Sequence, residues 1–349
     1  MKLSVIVTCY NQNRDDLIRK CLNTVIDDRV NDTEYLLVDD CSTDGSYEVL
    51  KEYETMYPGL VRALRNDVNK GAGGARNRGI RESQGEYISY IDGDDFVSDG
   101  FYYNLLSTLF KTGDVDLVGP KYAKTTYEGD FIKYETSALC KNESKIDFET
   151  KKTMLIKGER SCGRLYKKSI IVENNLFFPE NIAFEDSPVT CYWTNLCNSY
   201  AQCDDAEYFY RKTAKSLTTS KLTPQKAEEH YKSQLVLLEN GKRLGIYDAY
   251  WEELDYRLFR RDFNYKLKEC VLSFSDEERN EYYKKIQKLL LDNTRDLLNN
   301  PYIADNEKKQ LEKFLTDPVK FGRKQSTTIN LKHSTLKKMA EIKHFLLPK

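Results

Sequence analysis

Four short apolar runs separated by stretches of helical period restrict the fold of this chain more than any other feature. Leu3-Ser4-Val5-Ile6-Val7-Thr8, Tyr35-Leu36-Leu37-Val38, Val61 to Leu64 and Tyr87 to Ile91 read as buried strands. Between the first two, Leu17, Ile18, Cys21, Leu22, Val25 and Ile26 recur at helical spacing. Further helices are expected over about Ser46 to Tyr57 and Ala75 to Ser83. This alternation with short connections predicts an α/β fold, a mainly parallel sheet with helices on both faces. Sheets of this kind bind ligands beyond the carboxyl ends of their strands.

Polar clusters fall at those ends. Thr8-Cys9-Tyr10-Asn11 follows the first strand, Asp39-Asp40-Cys41-Ser42 the second and Asp92-Gly93-Asp94-Asp95 the fourth. In the last of these a strand runs into three carboxylates interrupted by one glycine, a spacing that can point oxygens into one volume and suits Mg²⁺ or Mn²⁺. Alone, such a run is more often a solvated acidic turn. Three polar turns at three strand ends favour one shared crevice.

Composition narrows the chemistry. Lys and Arg total 54 against 55 Asp and Glu, a net charge of -1, so no overall field recruits nucleic acid. His230, His333 and His344 are the only histidines, which leaves carboxylates to do any acid–base work. The nine cysteines form an odd set in a chain without an export signal and are expected as reduced thiols; Cys191, Cys197 and Cys203 read as small buried hydrophobes. No apolar run approaches the roughly 18 residues that span a bilayer, and a cytoplasmic protein is expected.

From Phe101 to Leu155 the pattern is less regular, and Tyr122 to Asp147 suits edge strands or a lid. Helical spacing returns after Thr223. Two parts follow, a nucleotide-binding catalytic domain at 1–220 and a mostly α-helical region at 221–349 that contacts an acceptor, another subunit or a membrane. In the stretch 319–349, Lys320, Arg323, Lys324, Lys332, Lys337, Lys338, Lys343 and Lys349 face the single acid Glu341, while Leu336, Met339, Ile342, Phe345 and Leu346 share a helical face. Peripheral contact with anionic lipid and packing on its own domain or on another copy in a homo-oligomer are both open.

Read in order, Ser4 to Asn11, Val38-Asp39-Asp40-Cys41-Ser42-Thr43-Asp44-Gly45-Ser46, Asn69-Lys70-Gly71, Gly74-Ala75-Arg76-Asn77-Arg78-Gly79 and Ile91-Asp92-Gly93-Asp94-Asp95 resemble the nucleotide-sugar domain of glycosyltransferase family 2. The resemblance resumes at Cys162-Gly163-Arg164-Leu165-Tyr166-Lys167, at Phe184-Glu185-Asp186 and from Tyr210-Arg211 through Ser216. It implies a GT-A fold, Rossmann-like, an inverting transfer from a UDP-sugar, and Mn²⁺ or Mg²⁺ as cofactor. By that resemblance Thr8 and Tyr10 line the uridine, and Asp40 accepts the uracil imide N–H. Asn69, Gly71 and Arg76 make further nucleotide contacts, Gly73 and Gly74 allow close backbone approach, and Gly93 belongs to the metal loop. Asp94 is the direct metal ligand; Asp92 lies nearer the ribose or a metal-bound water, and Asp95 holds the loop in shape. Asp186 is the base that takes the acceptor's proton, with Glu185 orienting the acceptor, and Arg211 and Ser216 fold over the pyrophosphate.

The implied activity is a hexosyl or N-acetylhexosaminyl transfer to a glycan or lipid-linked glycan hydroxyl, in surface or capsular polysaccharide synthesis. A non-catalytic nucleotide-sugar-binding scaffold on the same fold is the alternative, with a sugar nucleotidyltransferase behind it. The last normally needs a Gly-rich basic loop after the first strand, and Cys9-Tyr10-Asn11-Gln12-Asn13 is not one. The chain departs from the family pattern at Thr8-Cys9, where Pro and a small or branched residue are common, and at Cys41, where Gly is usual.

Overall fold

The structure, a computed structural model, describes residues 1–27, 29–135, 145–158, 160–212 and 221–325. Two compact units emerge: Met1–Ser220 with Lys232–Ile246, and Lys221–Tyr231 with Tyr247–Lys349. The segment 232–246 therefore groups with the first unit, and not with the helical region that follows it.

The first unit opens with β1 (Leu3–Cys9), α1 (Leu17–Val25), β2 (Thr33–Asp39), α2 (Ser46–Met56), β3 (Val61–Arg65), α3 (Gly71–Glu82) and β4 (Tyr87–Asp92). These four strands lie parallel in the order β3-β2-β1-β4. Their register brings Cys9 opposite Asp39 and Thr8 opposite Asp92, so three polar turns leave the sheet side by side. β1 and β2 are buried on both faces, and a slip of one residue would exchange the side chains packed on the two sides. Beneath the turns, Val5, Val7, Leu37, Ile91, Ile18 and Leu22 belong to one fully buried core, each worth roughly 1.5–3 kcal/mol on removal from water.

The second half of the unit differs from the first. It adds β5 (Phe96–Val97), α4 (Phe101–Lys111), β6 (Leu117–Thr125), β7 (Phe131–Glu135), α5 (Phe148–Lys157), β8 (Leu165–Lys167), α6 (Lys168–Glu173), α7 (Ser187–Leu196) and β9 (Tyr200–Arg211). The nine-stranded sheet runs β3-β2-β1-β4-β8-β6-β9-β5, with β7 on β6. β8 pairs antiparallel with β4 and β6, and β5 and β7 join antiparallel to β9 and β6. Only β6 and β9 continue the parallel pairing.

The second unit is helical: α8 (Pro224–Arg243) begins in it, followed by α9 (Ile246–Ala249), α10 (Trp251–Leu258), a π-helical stretch Phe259–Lys266, α11 (Leu267–Ser273), α12 (Asp276–Asn293) and α13 (Asp305–Thr316). Ser275 and Glu278 form a reciprocal capping box that starts α12. Phe259, Phe263, Tyr283 and Phe314 are buried and belong to the core of this region, whereas Tyr265 is exposed. Among the described residues no helix is long and apolar enough to cross a membrane. The described cysteines are free thiols, with Cys191, Cys197 and Cys203 buried. Most of the basic stretch 319–349 lies outside the described residues.

Close approach of α3 to β1 depends on Gly79, where an added Cβ would lie 2.4 Å from Ile6 Cγ2. Gly79→Ala is expected to destabilise the first unit by about 1–3 kcal/mol through overpacking, read from urea unfolding; an unchanged midpoint would show that the helix can shift at no cost.

Candidate active site

The turn after β1 supplies Thr8, which is buried, and Tyr10, which is 48% exposed. Asn11, in the left-handed region at φ 52°, ties this turn to the next. Its N–H donates to Ser42 Oγ and its side-chain oxygen accepts from Thr43 N, both at 2.9 Å. Cys41 is also left-handed, φ 65°. Glycine adopts that conformation without a steric penalty, whereas a side chain there is strained.

Asp40 is 2% exposed. Its carboxylate accepts Asn66 Nδ2–H at 2.8 Å and the Lys70 backbone N–H at 3.0 and 3.1 Å, which fixes its orientation and leaves lone pairs for a further donor. Asn69 Oδ1 accepts the Gly71 N–H at 3.1 Å, where α3 begins at φ 75°. A Cβ at Gly73 would sit 2.4 Å from the Pro179 carbonyl, so this helix start packs directly against the segment leading to Glu185.

Arg76 lies one turn further along α3, 5% exposed. One nitrogen donates to Asp92 Oδ1 at 2.7 Å and another to Glu185 Oε1 at 2.5 Å. The guanidinium rests over the rings of Tyr90 and Phe178, 4.9 and 5.2 Å from their centroids. Burial pulls its pKa down, but the carboxylates of Asp92 and Glu185 outweigh that and hold it well above the ordinary value. One buried cation thus joins the strand-end acids to the Phe184-Glu185-Asp186 segment, more than ninety residues away in the chain.

The contacts give Glu185 a different task from the one the sequence suggests. It faces inward onto Arg76 instead of standing free to orient an acceptor. Burial pushes its carboxyl up; Arg76 opposes this and Asp186 adds to it. Asp186 is exposed and caps α7, its carboxylate accepting the Ser187 N–H at 2.7 Å, with Pro188 in the first turn. A helix cap and an open carboxylate are therefore the same residue.

Gly93 turns the chain between the acids. Its N–H donates to the Thr8 carbonyl at 2.9 Å, and a Cβ there would press against the same oxygen. Asp92 also accepts a weak bond from Thr8 Oγ1 at 3.4 Å and has the Cys162 thiol 3.8 Å from Oδ2. Burial, then the charge of Asp92, pushes the Asp94 carboxyl up to about 6. Asp95 is fully buried and accepts from Tyr208 O–H and from the Arg211 N–H at 2.9 Å. The Arg211 side chain also supports the loop: Nε donates to the Asp94 carbonyl at 2.9 Å and a terminal nitrogen to the Tyr127 carbonyl at 2.5 Å. It lies 4.7 Å over Phe96, buried, where the sequence suggests a pyrophosphate contact. Ser216 lies outside the described residues.

Among the described residues no group of three or more His, Cys, Asp or Glu side chains is arranged to hold a metal ion. Two crowded carboxylates with one of them partly neutralised by Arg76 nevertheless fit a hard cation that takes its other oxygens from a bound diphosphate. Sequence reasoning gave no role to Tyr208, Tyr127, Asn66 or Cys162. Only Cys162 sits in a recognisable motif; the others act through tertiary hydrogen bonds that no local pattern announces.

Residues 4–172 match the sequence profile described as "Glycosyl transferase family 2". A poly(ribitol-phosphate) beta-glucosyltransferase of Bacillus spizizenii is 26% identical over 301 residues, 83% of this chain and 45% of that protein, so the chain spans less than half of this relative. The uncharacterized glycosyltransferase EpsJ of Bacillus subtilis is 26% identical over 82% of this chain and 83% of its own length. Among solved structures, residues 1–349 of S. aureus TarS in complex with UDP-GlcNAc superpose with a TM-score of 0.73 at 17% identity, covering 95% of this chain and 92% of that one. That likeness shows the GT-A fold.

Replacing Arg76 by Met leaves Asp92 and Glu185 without their cation and is expected to cost about 3–5 kcal/mol in urea unfolding; a loss below about 1 kcal/mol would contradict the bracing role. Cys41→Gly relieves the left-handed strain and is expected to raise stability by roughly 0.5–1 kcal/mol, and a lower melting temperature would show that the thiol's contacts matter more.

Proposed function

We propose that this chain, whose residues 4–172 match the glycosyl transferase family 2 profile, is a transferase of that family that moves a hexosyl or N-acetylhexosaminyl group from a UDP-sugar to a hydroxyl of a cell-surface glycan or related polymer, with inversion. The observation that carries this reading is the Arg76 bridge, which ties Asp92 and Glu185 together and so keeps Asp186 in the neighbourhood of the strand-end acids. Burial pushes the Cys162 thiol up, and the charges of Asp92 and, more weakly, Asp186 add to this.

Tyr10 offers an exposed ring for stacking on a flat base. Asp40, preset by Asn66 and Lys70, offers a charge-assisted acceptor for an imide N–H. Asp94, with Asp92 beside it, would hold Mn²⁺ or Mg²⁺, which supplies charge neutralisation to the departing diphosphate. Asp186 removes the acceptor's proton as its oxygen attacks the anomeric carbon from the side opposite the diphosphate. One base and one displacement invert the configuration. A polymer acceptor agrees with the B. spizizenii relative, named for glucosyl transfer to poly(ribitol phosphate). The helical unit and the basic 319–349 segment then serve acceptor, membrane or subunit contact.

UDP release from a panel of UDP-sugars, with Mn²⁺ and with a chelator, tests the reading. Activity is expected only with the cation, Asp94→Asn is expected to abolish it, and Asp186→Asn to lower kcat on the order of 100-fold or more with donor KM near wild type. Full turnover by either variant, or no metal-dependent UDP binding by calorimetry, would refute it.

A further inference from the structure

The outer strands of the first unit carry an aromatic surface that the donor and base sites do not use. Phe96 of β5 pairs with Phe209 of β9, Phe209 with Ala123 of β6, and Ala123 with Tyr134 of β7. Partners across neighbouring strands project to the same face, so these side chains form one row across four strands. The next row on that face pairs Arg211 and Phe131 with Thr125. Phe96 and Phe209 stack at 4.8 Å, and Phe131 and Tyr134 meet at 4.9 Å. Within these rows Ala123 and Thr125 are buried, while Phe131 and Tyr134 stay 55% and 56% exposed. A polar rim follows, where Tyr134 O–H donates to Glu207 at 2.7 Å.

Such rings in the open are unfavourable unless something covers them. Two features point to the occupant. The row begins at Phe96, two residues after Asp94, and Arg211 connects them, lying over the Phe96 ring while donating to the Asp94 carbonyl. The surface therefore leads outward from the loop where transfer is proposed. Its chemistry, flat apolar faces bordered by a phenol and a carboxylate, matches the C–H face and hydroxyl edge of a pyranose, with the amphipathic character that aromatic side chains lend to binding surfaces. We propose that Phe131 and Tyr134, at the outer end of this row, bind sugar rings of the acceptor chain, holding it beyond the residue that receives the transferred group. This rests on the transferase reading and gives its acceptor a class, a saccharide with at least one unsubstituted ring face.

Saturation-transfer NMR on the full chain tests it, using methyl α- and β-glucopyranosides, methyl galactopyranosides and methyl N-acetylglucosaminides at millimolar concentration, with excess UDP to occupy the donor site. Transfer to the protons of one ring face is expected for at least one pyranoside, and about a tenfold loss of it in the double variant Phe131→Ala, Tyr134→Ala, whose far-ultraviolet spectrum checks the fold. No transfer from any pyranoside, or equal transfer in the double variant, overturns the proposal. So does sedimentation showing a wild-type dimer that the double variant splits, because the row would then be covered by a second copy. UDP titration of the wild type reports separately on the donor site, so failure of the transferase reading is distinguishable from failure of the platform.

Discussion

A single buried guanidinium holds the site together. Arg76 meets Asp92 on one side and Glu185 on the other, with aromatic rings of Tyr90 and Phe178 against its faces. Burying any of these charges alone would be unfavourable by several kcal/mol. Together they satisfy one another, and the geometry that satisfies them also fixes where two distant segments meet. Of the four carboxylates, Glu185 is buried, Asp92 and Asp94 are half-buried, and Asp186 is exposed. Asp92 and Glu185 brace the two segments through Arg76, and the Asp186 carboxylate beside them stays open.

A second layer of support lies behind the acidic loop. Tyr208, Asp95 and Arg211 form a buried network, and the Arg211 side chain carries it on to the Asp94 carbonyl and to Tyr127. Tyr127 in turn donates to Asp15 in the segment after β1. The loop is held from the strand side by Thr8 and Gly93 and from the outer side by Arg211, so little freedom remains except at the Asp94 carboxylate. Preorganisation of this kind is what lets a site act on a developing charge without rearranging at the moment of reaction.

Much of this was legible in the chain. The strands β1 to β4 announce themselves because each is a short apolar run between helical periods, and parallel register then brings Cys9, Asp39 and Asp92 to one edge. The resemblance to a known family placed the acidic and Glu-Asp motifs in a common site. What stayed hidden has physical causes. β8 is three residues long, too short for any period to show. β9 passes through Asp204 and Asp205, which interrupt its apolar pattern. α4 buries Phe101, Tyr102, Leu105, Leu106 and Leu109 at helical spacing, but the exposed Tyr103 and Phe110 widen its apolar stripe and blur that period. The inward turn of Glu185 and Arg211 could not be read from motifs, since a motif gives residue type and order but not which partner a charge finds in three dimensions. Cys41, noted as a departure from the usual glycine, proves to occupy the left-handed conformation that makes glycine usual there.

The proposed transfer requires the acids of the two motifs to share one cavity with a nucleotide. A crystal structure of the chain with UDP and Mn²⁺ tests this directly. The predicted result is diphosphate oxygens and the Asp94 carboxylate on the same cation, uracil against Tyr10 and Asp40, and the Asp186 carboxylate facing the end of the diphosphate across open space. A nucleotide bound elsewhere, or an Asp186 turned away behind α7, would contradict it.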